Sequence, residues 1–177
     1  MPTYLDCNAT TPVEPEVLQA MMQYLQDDYG NAGSRTHEFG ARAKKAVQLA
    51  RSAIAEVVAS SPEEVVFTSG ATESNNLAIL GLSAYAERTS KKHIISTAIE
   101  HKAVLEPLEY LERQGFEVTR LPVDTGGRID PDDLKRTLRP DTVLVSLMHV
   151  NNETGVIQPL NEIADLLQSH DAFLHAD

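Results

Sequence analysis

The sequence predicts an α/β fold, a mostly parallel central sheet covered by helices on both faces. Three observations predict it. Short apolar, β-rich runs alternate with segments of helical period from about residue 63 onward. The run TVLVSLMHV (142–150) is apolar almost throughout, as expected of a strand buried on both faces by crossover helices. Polar or turn-forming groups stand where the strands would end: Ser69 to Thr72, Glu100-His101, Asn151-Asn152-Glu153 and His175-Ala176-Asp177. Ligands of open α/β sheets bind just beyond the carboxyl ends of strands, so these four groups suggest one shared site.

Taken in order, Val17, Met21, Met22 and Leu25 repeat at helical spacing, ending near Gly30. A longer helix is expected over 41–58, with Ala46, Leu49, Ala50, Ala53, Ile54 and Val57 on one face. EEVVFTSG (63–70) reads as a short β-rich run stopped by a glycine, and 72–87 as a helix. HIIST (93–97) is a strand, and 102–115 a helix closed by Gly115, with Pro107 in its first turns. FEVTRLPV (116–123) is a strand, DTGGR (124–128) a turn, and 130–139 a helix opened by Asp130 and Pro131. After the strand 142–150 come a helix over 159–170 and AFLHAD (172–177), the end of a buried strand tipped by a carboxylate. The expected organisation is a mainly helical segment over about 1–60, followed by about 61–177 as part of an α/β domain.

Composition narrows the function. At 177 residues and 42% hydrophobic, the chain can bury one sizeable core. A net charge of -11 repels phosphates, which excludes a stand-alone nucleic-acid or anionic-membrane surface but not a local cationic pocket. A single cysteine, Cys7, excludes an internal disulfide framework and a paired-cysteine zinc site, and points to a reducing, cytoplasmic compartment. No stretch reads as a signal peptide or reaches the roughly 20 apolar residues of a membrane span. The histidines show no metal-ligand spacing, so no metal is expected.

Several stretches could carry chemistry. FTSGATESNN (67–76) runs from strand through small residues into helix. Free amides of Gly70, Ala71 and Thr72, with the Thr72 hydroxyl, would cradle a phosphate. The alternative is an ordinary helix start capped by Ser69 or Thr72. No Gly-Lys-Ser/Thr follows, so this is not a Walker loop. His101 sits at the next strand-to-helix junction, where a histidine caps a helix, stacks on a planar ligand or moves protons. Asn151, Asn152 and Glu153 follow an apolar strand and must bond a ligand or tie a turn. Asp177 needs a cationic partner, either an arginine such as Arg35 or Arg42 or a protonated ring nitrogen. The loop GNAGSRTHEFG (30–40) has small residues that let backbone approach a ligand. Cys7 has no assured neighbouring base and reads as a small packing residue rather than a nucleophile.

Taken together, YLDCNATTP, GNAGSRTHEFG, EEVVFTSGATESNN, HIISTAIEHKAVLEPLEYLERQGFEV, DTVLVSLMHVNNETGVIQP and FLHAD resemble the N-terminal half of the large domain of a cysteine desulfurase. These are pyridoxal-phosphate (PLP) enzymes of the class V aminotransferase type. The resemblance implies that Ala71 and Thr72 hold the cofactor phosphate and that His101 stacks on the pyridine ring and takes part in proton transfer. It implies that Asn152 lies beside the ring oxygen and the substrate, and that Asp177 pairs with the protonated ring nitrogen. The implied reaction takes sulfur from L-cysteine as an enzyme persulfide and releases L-alanine. Implied partners are a sulfur-acceptor protein and a second copy of the chain, with no direct nucleic acid and no membrane.

The departures bear on activity. The family attaches its cofactor through a lysine downstream of the position of Asp177, and none of Lys44, Lys45, Lys91, Lys92, Lys102 and Lys135 matches it. Cys7 does not match the family's persulfide cysteine, and Ala32 stands where the family often has proline. The expectation is therefore an N-terminal portion of such an enzyme, inactive alone. A selenocysteine lyase or another class V enzyme is the alternative within this chemistry. A non-catalytic scaffold that keeps the fold is the alternative outside it.

Overall fold

The computed structural model describes residues 2–177. Two compact units divide near Phe67. The first contains helices α1 (Pro15–Gln26) and α2 (Glu38–Val57) and a 3₁₀ turn at Pro62–Glu64. Apolar residues of α1 and α2 remain largely exposed: α1 buries none, and α2 buries only Gly40, Ala43 and Ala55. An apolar groove of about 890 Å³ runs between the two helices, lined by Leu25, Tyr29, Ala46, Leu49 and Phe67 among others.

The β-rich run expected over 63–70 forms no strand. Residues 65–68 belong to no helix or strand, although Val65 is extended, and no hydrogen-bonded neighbour strand accompanies them among the described residues. Val66 and Phe67 stay 62% and 47% exposed. The Val65 carbonyl instead accepts from the Arg51 guanidinium, which also lies over the Phe67 ring. Strand propensity needs a partner edge to become a strand, and none is offered among the described residues.

The second unit is an α/β sheet. Its strands are β1 (His93–Thr97), β2 (Glu117–Leu121), β3 (Thr142–Leu147) and β4 (Phe173–Ala176). All pair in parallel, in the order β2-β1-β3-β4. The helices are α3 (Ala71–Gly81), α4 (Ser83–Thr89), α5 (Lys102–Arg113), α6 (Pro131–Thr137) and α7 (Leu160–Leu167). The single helix expected over 72–87 is thus two, parted at Leu82.

The strand order dictates where the helices lie. From β1 the chain crosses by α5 to β2 on one side, then returns past β1 by α6 to β3 and continues by α7 to β4. Right-handed crossovers put α5 on one face and α6 and α7 on the other. The two cores agree. Ile79, Ala86, Val104, Leu108 and Leu111 pack with Ile94 and Leu144 on one face. Leu134, Ile163 and Leu167 pack with Ile95, Val145 and Leu147 on the other. Adjacent residues of β1 and β3 thus feed opposite cores, which is why both strands are buried throughout.

His93 is fully buried at the start of β1 and bonds across the sheet to Thr142 (2.8 Å) and Thr119 (2.9 Å). Gly115 ends α5 at φ +87°. Its amide bonds the Glu112 carbonyl and that of Phe116 bonds Leu111, while the Phe116 ring joins the core containing Leu111. Pro107 lies in the second turn of α5 and is itself buried.

The last strand departs from expectation. AFLHAD does form β4, but as an edge paired only to β3, with Phe173 and Leu174 47% and 38% exposed. Burial of a strand depends on its neighbours, and β4 has one on a single side among the described residues.

Candidate active site

Order reversal at β1 and β3 opens a crevice beyond their carboxyl ends. The loops after the two strands meet there through Asn151, which is 6% exposed. Its Nδ2 donates to the Ile99 carbonyl at 3.0 Å. Its Oδ1 accepts from the amides of Glu153 (3.0 Å) and Thr154 (2.9 Å). Asn151 therefore ties the turn and leaves its neighbours outside. Asn152 is exposed, donating to Glu153 Oε1 at 3.0 Å. Of the polar trio, the first is buried and ties the turn, while the second is exposed.

Glu100 is buried in the same crevice, 6% exposed. Thr97 donates its hydroxyl to Oε1 at 2.7 Å, while Oε2 has no hydrogen-bonded partner among the described residues. Burial pushes this carboxyl up to about 7. The Thr97 hydroxyl and the Met148 amide oppose that shift, and the negative charge of Asp177 adds to it.

His101 is the N-cap of α5, its Nδ1 accepting from the Ala103 amide at 3.1 Å. That bond leaves Nε2 as the ring's N–H. His101 and Thr72 line one cavity of about 330 Å³ between α3 and α5.

Ala71 and Thr72 open α3, so their amides have no acceptor within the helix. A side chain added at Gly70 would meet nothing within 4 Å, so the approach to this helix end is open. Glu73 follows in the first turn of α3. Its Oε2 accepts both the amide and the hydroxyl of Ser69 at 2.6 Å, and those bonds hold its carboxyl below the usual range.

Asp177 follows β4. Its backbone is pinned to β3, its amide donating to the Leu147 carbonyl (3.3 Å) and its carbonyl accepting from the His149 amide (2.9 Å). Arg42, one of the arginines expected beside its side chain, pairs with Asp28 at 3.5 Å. The partner is Asn75 of α3, whose Nδ2 donates to Oδ1 at 2.9 Å. His175 Nε2 lies 3.2 Å from Asn75 Oδ1, and His175 Nδ1 lies 2.8 Å from the Ser146 hydroxyl. The sequence did not assign Asn75. Its one signal is a pair of asparagines inside a helix, residues that favour caps and turns over helix interiors.

Of the expected site residues, Ala71, Thr72 and Asp177 thus converge on α3, and His101 shares a cavity with Thr72. Asn152 stands in the turn after β3, bonded to Glu153. Cys7 is exposed rather than packed. Among the described residues no cluster of His, Cys, Asp and Glu is arranged to hold a metal. Among them, too, no helix is long and apolar enough to cross a membrane.

The chain is similar to known proteins along its whole length. It is 49% identical over 177 residues to the cysteine desulfurase IscS of Anaeromyxobacter sp. (strain K), covering 100% of this chain and 44% of that protein. It superposes on the crystal structure of DndA from Streptomyces lividans with a TM-score of 0.86 at 56% identity, covering 99% of this chain and 49% of that one. On SspA in complex with cysteine the TM-score is 0.93 at 40% identity, with 99% and 50% covered. The chain spans less than half the length of the curated relative. The family model for class-V aminotransferases matches residues 3–177, and the chain belongs to the class-V aminotransferase family.

Proposed function

We propose that this chain is the cofactor-holding N-terminal part of a PLP-dependent cysteine desulfurase, which takes sulfur from L-cysteine and releases L-alanine. The observation that carries the reading is the bond from Asn75 on α3 to Asp177 after β4. It ties an anion-binding helix end and a carboxylate to one helix, as a molecule with a phosphate at one end and a basic ring nitrogen at the other requires. The donor set fits that cofactor. The Ala71 and Thr72 amides and the Thr72 hydroxyl hold the phosphate, in the open space before Gly70. Asp177 Oδ2, which has no hydrogen-bonded partner among the described residues, takes the ring N–H. The names of the relatives and the cysteine bound by SspA support the substrate.

The cofactor supplies an electron sink that its protonated ring nitrogen strengthens. This chain's residues orient it and handle protons. Asp177 keeps the ring nitrogen protonated by pairing with it. His101 covers the ring and exchanges protons only through Nε2, because Nδ1 is committed to the Ala103 amide. Asn152 contacts the substrate and the ring oxygen from the turn after β3. The reading needs an anchoring lysine and a persulfide cysteine outside residues 1–177. It also takes a sulfur-acceptor protein, a homodimer and a cytoplasmic setting.

The full-length protein tests it. Purified protein should carry the visible absorbance of bound PLP and form alanine from L-cysteine, with the sulfur released by added thiol. A preference for selenocysteine would make it a lyase for selenium instead. Asp177→Asn should retain PLP yet lose turnover by orders of magnitude; near-normal turnover would remove Asp177 from the ring nitrogen.

A further inference from the structure

We propose that Asn75 is a positioning residue for Asp177: with His175 and Ser146 behind it, it fixes the carboxylate so that Oδ2 stays presented to the cofactor's ring nitrogen. The inference rests on the PLP reading above and assigns the residues that make its carboxylate directional.

Asn75 lies in the second turn of α3 and is 4% exposed, so both ends of its amide need partners. A carboxylate only accepts, so the NH₂ end must face Asp177 and the carbonyl end must face His175. His175 must then carry its proton on Nε2. Its Nδ1 is left to accept from the Ser146 hydroxyl. One direction of donation satisfies all four side chains, from Ser146 through His175 and Asn75 to Asp177. These come from β3, β4 and α3, so the orientation of the carboxylate is set by three elements at once.

The chain stays uncharged up to its last member. Burial lowers the basicity of His175, against a smaller opposing pull from Asp177. The charged groups facing this chain are Asp177 and, through it, Glu100. A protonated His175 would place a cation beside Asp177 and weaken its hold on a positive ring. A neutral His175 orients the carboxylate without cancelling its charge.

The test uses the full-length protein. In histidine-labelled protein, ¹⁵N resonances should show His175 as the Nε2–H tautomer, still neutral as pH falls through the ordinary histidine range. An Nδ1–H tautomer, or protonation at an ordinary histidine pH, overturns the hydrogen-bond chain. With PLP bound, Asn75→Leu has similar size but neither hydrogen-bonding group. It should keep its PLP content while the induced visible circular dichroism of the cofactor falls severalfold. His175→Leu should show the same loss, and His175→Gln, which returns an N–H donor, should restore most of the signal. If Asn75→Leu does not fold, the two His175 variants decide. An unchanged dichroism in the leucine variants overturns the positioning role alone. Wild-type protein that takes up no PLP overturns the cofactor reading and this role with it, while the tautomer measurement still reports on the chain of bonds.

Discussion

Glu100 is an acid kept where water barely reaches it, and its energetics follow from that. Its carboxyl is pushed up to about 7, against an ordinary value near 4.5. As pH rises from about 4.5, the unfolded chain gives up this proton first, so folding loses stability until about pH 7. Above that the full cost stands, on the order of 3 kcal/mol. Glu100→Gln keeps an acceptor for Thr97 and removes the charge. It should stabilise the full-length protein by about 1–3 kcal/mol at pH 8 and change little at pH 4.5. Urea unfolding at the two pH values checks this, and an equal gain at both would sink the burial argument. In this neighbourhood the positions are legible in the sequence and the division of labour is not. Asn151 and Asn152 look alike as residues. Only the loop geometry makes one a tie between strands and leaves the other exposed. Asn75 was harder still, because its partner is 102 residues away.

At the scale of elements, what was legible is what the chain encodes locally. β3 announces itself by a nearly continuous apolar run, and the end of α5 by Gly115. The latter sits at φ +87°, where an alanine is strained. Gly115→Ala should therefore cost about 1–2 kcal/mol. Gly81, helical and with open space around it, offers the contrast: Gly81→Ala should be neutral or stabilising by up to about 1 kcal/mol. Thermal melts of the two variants read the difference, and equal effects would refute the backbone explanation. What was not legible depends on neighbours. The run at 63–70 has strand composition and no partner edge among the described residues. β4 has strand composition and a partner on one side, so it pairs but stays exposed.

The whole molecule shows the same dependence. Phe173 and Leu174 on the β4 edge and the unburied apolar residues of α1 present much more oil to water than a stable monomer favours. Residues 1–177 produced alone should elute in size-exclusion chromatography above the monomer position, and Leu174→Lys should shift them toward it. A monodisperse wild-type monomer would instead favour the scaffold reading. The strand order has one more consequence, in time rather than in space. Sheet pairing of β1 with β2 closes a short stretch of chain, whereas the Asn75–Asp177 bond closes about a hundred residues. Long closures form late. On a chain emerging from the ribosome, α3 would already be wound while Asp177 was still unmade, and its buried amide would wait without its acceptor. The polar chain that aims the carboxylate is then a late stitch among residues 68–177, closed only after α3, β1 and β3 have been made.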